Sequence, residues 1–109
     1  MYEITARQKK LGDGTEITTY SRDIYDCNIL SVEAGTTGYR GGDSGHGGRT
    51  YFRIKDEGGT DMNVETHTDR YGCTEFEVTL GGDCELDTMI KALKFITKVL
   101  EDEAKEVYD

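Results

Sequence analysis

Gly81 and Gly82 separate two kinds of hydrophobic pattern in this 109-residue sequence. Before them, apolar residues recur mainly at every second position, as they do in half-buried β-strands. After them, apolar residues recur at intervals of three and four, which is typical of an amphipathic helix. The sequence therefore predicts an α+β fold, in which an antiparallel β-sheet or sandwich of about six strands precedes one long C-terminal helix.

Six segments before the break have strand-like alternation or many β-branched residues. The clearest is 74–80, in which Phe76, Val78 and Leu80 are expected to face inward. Glycine-containing segments between the strands predict turns. The predicted strands are 2–9, 15–21, 28–34, 49–56, 60–66 and 74–80, and the polar segment 22–26 is predicted to be a connection.

The predicted helix covers 84–107, with Asp83 as a good N-cap. Ala92, Phe95 and Val99 lie on the side away from the main apolar stripe. That second face either widens the core-facing stripe or packs against a second copy, and we expect a homo-oligomer through this C-terminal helix. The main stripe consists of Leu86, Met89, Ile90, Leu93, Ile96, Leu100, Ala104 and Val107.

Length and charge limit the classes of protein to consider. We expect a single domain, 1–109, with strands within 1–80, a glycine-rich loop at 35–48 and the helix at 84–107. A formal net charge of −9 argues against general nucleic-acid binding and against an anionic membrane surface. The three cysteines have no C-x-x-C spacing, so neither a disulfide framework nor a zinc site is expected. With no signal peptide and no apolar run long enough to span a bilayer, we expect a cytoplasmic protein.

The segment from Gly35 to Arg53 contains seven of the fourteen glycines. Between Gly35 and Lys55 the chain is locally basic, with a charge of +3 in an otherwise acidic protein. Successive glycines allow backbone N–H groups to converge on an anion, and arginines pair well with phosphate or carboxylate. The alternative is a long hairpin connection that is merely flexible or disordered.

This loop partly matches two enzyme motifs and contains two candidate metal ligands. Residues 42–45, GDSG, resemble the nucleophile segment of chymotrypsin-like proteases, but no converging triad is evident. Residues 43–50 nearly match a P-loop, but a strand follows where a P-loop needs a helix. Asp43, His46 and His67 are weak evidence for a metal. We therefore expect no catalytic residue, no metal site and no cofactor.

Binding of a small anionic ligand is the hypothesis that remains. Arg40 and Arg49 flank the glycines and would hold phosphate, while nearby aromatic rings offer a face for a base. The residues expected to bind the ligand are Tyr39, Arg40, Gly41, Gly42, Asp43, Ser44, Gly45, His46, Gly47, Gly48, Arg49 and Thr50.

The stretches AGTTGYRGGDSGHGGRTYFRIKD and LGGDCELDTMIKALKFITKVL resemble small proteins carried by phages and prophages of Gram-positive bacteria. Among those with known roles, the chain is similar in character to anti-defence sponges such as the Thoeris anti-defence proteins. That resemblance implies a β-rich body, a C-terminal helix, oligomer-lined pockets and sequestration of cyclic nucleotide signals without cleavage.

The expected function is non-enzymatic capture of a cyclic or modified nucleotide immune signal in the cytoplasm of an infected host bacterium. One alternative is an acidic inhibitor that mimics nucleic acid and blocks a basic host protein, as some anti-CRISPR proteins do. Another is a small structural phage subunit that uses the two-faced helix for assembly.

Overall fold

The computed structural model describes residues 3–25, 28–38, 48–58 and 61–108, with residues 105–108 described through their backbone. It has the expected α+β architecture, with six antiparallel strands in two sheets and one long C-terminal helix. The elements are β1 (Thr5–Lys10), β2 (Glu16–Tyr25), β3 (Ile29–Thr36), β4 (Thr50–Gly58), β5 (Asp61–Thr68), β6 (Thr74–Gly81) and α1 (Cys84–Tyr108).

Strands β1 to β4 form one sheet in sequence order, and each strand is antiparallel to the next. The register places Ile24 opposite Leu30 and Val32 opposite Ile54. Side chains at these positions lie on the same face of the sheet because neighbours directly opposite each other share a face. This face carries the hydrophobic core, and α1 packs against it above β3.

Strand β2 is longer than predicted. The predicted connection at 22–26 is wrong, because Arg22 and Asp23 pair with Val32 and Ser31 as regular ladder positions. A strand that is buried on only one face tolerates polar residues on the other, so composition alone misplaced its end.

Strands β5 and β6 form a separate two-stranded hairpin. Its apolar face presents Val64 directly opposite Val78, and the ring centroid of Phe76 lies 6.2 Å from that of Phe52 in β4. Phe76 and Val78 face inward as predicted, toward β4 and α1, but they are not buried, since they are 60% and 43% exposed. The radius of gyration is 15.4 Å, whereas a compact domain of this length has about 13 Å.

The helix buries only part of the predicted main stripe and packs its second face against the sheet as well. Ala92 and Val99, left by the sequence pattern either to a widened core-facing stripe or to a partner, are buried in the core with Ile96 of the main stripe. Leu86 and Leu93, assigned to the core, are exposed. Thr88 fixes this orientation near the start of α1, because its buried hydroxyl donates to Asn28 Oδ1 at 2.6 Å.

The cysteines also depart from expectation. Cys84, the first residue of α1, is disulfide-bonded, whereas Cys73 is free and exposed in the turn between β5 and β6. The odd number of cysteines and their spacing gave no reason to expect a bonded Cys84. A search of the described residues finds no helix with the length and apolar character needed to cross a membrane.

Candidate functional site

A cleft runs between β2 and α1 on the helix-bearing face of the sheet. Because α1 lies above β3, it leaves part of the β2 surface open beside it. One part of the cleft has a volume of about 310 Å³ and the other about 370 Å³. The two parts share Arg22, Phe95 and Lys98, so we treat them as one space and name it the basic cleft.

Four cationic side chains line the basic cleft. Arg22 comes from β2, whereas Lys91, Lys94 and Lys98 follow one another along α1 at intervals of three and four. Such spacing places helical residues on one side of the helix. The result is a local concentration of positive charge in a chain whose net charge is −9.

Aromatic surface lies beside these cations. The guanidinium carbon of Arg22 is 5.9 Å from the ring centroid of Phe95, which is within cation–π range. Tyr20, half-buried on β2, lines the same cleft together with Ile4 and Val99. The cleft therefore combines apolar walls with positively charged hydrogen-bond donors.

Acidic groups close one end of the basic cleft. Lys98 Nζ lies 3.0 Å from Asp102 Oδ2, one helical turn further on, and Glu103 lines the cleft next to it. Lysine and arginine only donate hydrogen bonds, whereas carboxylates only accept them when ionised. The cleft can therefore bind an anion at one end and hydroxyl or amino donors at the other.

Most of the predicted glycine-loop site lies outside the described residues, namely Tyr39, Arg40, Gly41, Gly42, Asp43, Ser44, Gly45, His46 and Gly47. Gly48, Arg49 and Thr50 are described, and they join the end of the loop to β4. A Cβ at Gly48 would collide with the carbonyl oxygen of Gly38, so the two ends of the loop approach closely here. Thr50 Oγ1, at the start of β4, lies 3.0 Å from Thr36 Oγ1, at the end of β3.

Arg49, a predicted phosphate ligand, is held by protein groups. Its Nε donates to Asp13 Oδ2 at 2.6 Å, and its Nη1 donates to the carbonyl oxygen of Gly48 at 3.2 Å. The hydrogen bond from Arg49 lowers the pKa of Asp13 to about 2. These contacts tie the loop exit to the turn between β1 and β2, which gives Arg49 a structural role.

The opposite face of the sheet carries an ion-pair network around a buried carboxylate. Glu33 of β3 is 1% exposed, and it accepts hydrogen bonds from Arg7 at 2.5 and 2.7 Å, Thr19 at 2.5 Å and Arg53 at 3.2 Å. The Arg7 guanidinium lowers the pKa of Glu33 to about 2, against an opposing effect of burial. We assign this network to stability, because every Glu33 contact joins one strand to another.

Metal binding finds no support in the described part of the chain, where no group of three His, Cys, Asp or Glu side chains converges. His67, one of the residues weighed for a metal, lies on the exposed outer face of the hairpin. Its Nε2 is 3.4 Å from a Glu77 oxygen and 3.8 Å from a Glu65 oxygen. Asp43 and His46 lie outside the described residues.

The sequence did not point to the basic cleft because the three lysines follow Arg22 by 69 to 76 residues. A signal was present in the lysines alone, which recur on one side of a predicted helix. Comparison with known proteins adds nothing to this geometry: no protein-family model matches the chain, and neither does any curated protein or solved structure.

Proposed function

We propose that the protein is a non-enzymatic binding protein that captures a small anionic ligand of nucleotide type in the basic cleft. The observation that carries this proposal is the convergence of Arg22, Lys91, Lys94 and Lys98 beside Phe95 in a strongly acidic chain. The ligand class agrees with the one expected from the sequence, but the site differs from the glycine loop.

The chemistry of the cleft matches a nucleotide in two ways. Lysine and arginine donors form short, charge-assisted hydrogen bonds with phosphate oxygens. The faces of Phe95 and Tyr20 offer apolar surface on which a base can stack, a contact worth about 1–3 kcal/mol per base. The volumes of both parts of the cleft are those of ordinary ligand pockets, which measure roughly 300–1,000 Å³.

In this proposal, capture of a cyclic or modified nucleotide signal serves phage anti-defence in the cytoplasm of an infected host bacterium. Sequestration needs tight binding and no chemical step, so it needs no nucleophile or general base. The disulfide at Cys84 does not follow from this location, since disulfides are rare in cytosolic proteins.

Binding measurements on purified protein test the proposal. Thermal shift and calorimetry with cyclic di- and trinucleotides and cyclic ADP-ribose isomers should identify a ligand, and heating should release it intact. Lys91→Ala/Lys98→Ala should weaken binding at least tenfold, because it removes two cations from the cleft. Affinity should also fall as salt is raised, because ions screen charge–charge attraction.

The matched control is Lys9→Ala/Lys55→Ala, which removes the same charge from strands away from the cleft. If both double variants bind the ligand equally weakly, net charge alone explains the loss of affinity, and the basic cleft is not the site. If Arg40→Ala weakens ligand binding and the cleft variant does not, the ligand binds at the glycine loop. Recovery of a cleaved ligand would overturn the non-enzymatic proposal.

A second candidate, the acidic inhibitor of a basic host protein, is favoured by the outer face of the hairpin. There Glu65 lies directly opposite Glu77, and Glu75 lies opposite His67. Like charges directly opposite each other destabilise a sheet, so their presence is better explained by a partner than by stability. This candidate predicts that Glu65→Gln/Glu77→Gln abolishes the host effect while leaving nucleotide binding unchanged.

A further inference from the structure

Helix α1 carries an exposed apolar stripe on its solvent side. Leu86, Ile90 and Leu93 are 62%, 41% and 49% exposed, although each is a residue type normally found in cores. Their spacing of four and then three residues is that of an a/d seam between paired helices. Thr97 and Leu100 continue the same spacing along α1. We name Leu86, Ile90 and Leu93 the helix seam.

The apolar surface does not end at the helix seam. Met89, one residue before Ile90, lines a groove of about 120 Å³ between α1 and the β5–β6 hairpin. Four exposed side chains of that groove widen the patch, namely Phe52, Val64, Phe76 and Val78. Contiguous exposed apolar surface of this kind is rare on monomers and marks an interaction site.

Charges beside the helix seam indicate that a second copy of the chain packs on it. Asp87 and Lys94 are exposed, seven residues apart, and both border the seam on the side away from the hairpin. If a second α1 runs antiparallel with Ile90 at the centre, Ile90 meets its own copy and Leu86 meets Leu93. Asp87 then lies near Lys94 of the second copy. Two-fold symmetry generates a second, equivalent ion pair. A parallel pair gives no such attraction, because it places these two positions on opposite edges of the interface.

We propose that the protein forms a two-fold homodimer in which the helix seams pack antiparallel about Ile90. In this register the seam is self-complementary in its apolar contacts and in its charges, which is what an isologous interface requires. The dimer uses the exposed face of α1, whereas the face predicted from the sequence for a partner packs against the sheet. The proposal does not rest on the nucleotide ligand.

Sedimentation velocity on the full chain, from 1 to 100 µM, tests the dimer. The wild type should sediment with twice the chain mass of 12.2 kDa. Ile90→Asp should be monomeric, with dimerisation weakened at least 100-fold, because it places a charge at the centre of the seam. Tyr71→Asp, at the exposed turn of the hairpin, is the control and should remain dimeric. A wild type that stays monomeric at 100 µM overturns the proposal.

A charge exchange tests the antiparallel register. Asp87→Lys and Lys94→Asp should each dimerise at least tenfold more weakly than the wild type, because each creates like-charge pairs. Mixed together, the two variants should form a heterodimer with wild-type affinity, since every pair is again opposite in sign. This recovery also excludes misfolding as the cause of the single defects. No recovery on mixing would overturn the antiparallel register.

Discussion

Glu33 is the residue whose chemistry is most tightly defined by its surroundings. It is buried at the centre of the four-stranded sheet, and its carboxylate joins Arg7 of β1, Thr19 of β2 and Arg53 of β4. Removing the carboxylate is costly because it breaks its buried hydrogen bond from Thr19 and its charge-assisted hydrogen bonds from Arg7 and Arg53. The network therefore fixes the register of all four strands through one side chain.

Glu33→Gln should lower the free energy of unfolding at pH 7 by about 3 kcal/mol. The folded pKa of about 2 lies below the ordinary 4.5, so the ionised carboxylate stabilises the fold fully above pH 4.5. That stabilisation is lost as the pH falls from 4.5 to about 2. Urea unfolding of both proteins across this range should show their difference shrinking with acid. The control, Glu65→Gln on the exposed hairpin, should change stability little, and a constant difference down to pH 2 would contradict this account.

At the scale of elements, the strands and the helix were predictable because their patterns are local. Alternation within β6 and the spacing within α1 need no knowledge of the rest of the chain. The helix face was not predictable in this way. Both faces of α1 are apolar, and the choice between them depends on the sheet, where Ala92 packs with Leu30 and Val32. A small side chain permits close approach, which a count of hydrophobic residues does not detect.

Shortening a side chain to alanine should lower the free energy of unfolding more on the sheet-facing side of α1 than on its exposed side. Val99→Ala should cost about 2 kcal/mol of unfolding free energy because it leaves a cavity in the core, whereas Leu93→Ala should cost less than about 0.5 kcal/mol. Both changes are best made in the Ile90→Asp background, where dimerisation does not contribute. Chemical denaturation measures both losses of stability. A larger loss for Leu93→Ala than for Val99→Ala would show that the predicted main stripe faces the core.

The whole molecule brings together groups that no local pattern connects. The basic cleft joins Arg22 of β2 to lysines near the end of the chain, and the Glu33 network draws one residue from each of four strands. Such sites require the strand order, the register and the position of α1 to be known first. The glycine loop, by contrast, was visible at once in the sequence because its signal lies within a few residues.

The wide shape of the molecule predicts unequal local stability. The β5–β6 hairpin is a separate two-stranded sheet with an exposed apolar face, whereas β3 lies between two strands and beneath α1. A lone hairpin is marginally stable in water, so it should open without unfolding the rest.

Hydrogen exchange followed by mass spectrometry on Ile90→Asp should show amides of β5 and β6 exchanging at least 100-fold faster than those of Leu30 and Val32 in β3. The interior amides of β3 serve as the internal reference, because they should exchange only on global unfolding. Equal rates in the two regions would show that the hairpin and the four-stranded sheet unfold as one cooperative unit. In the wild type, hydrogen exchange at the same hairpin amides should be slower if a second copy covers the apolar groove next to the helix seam.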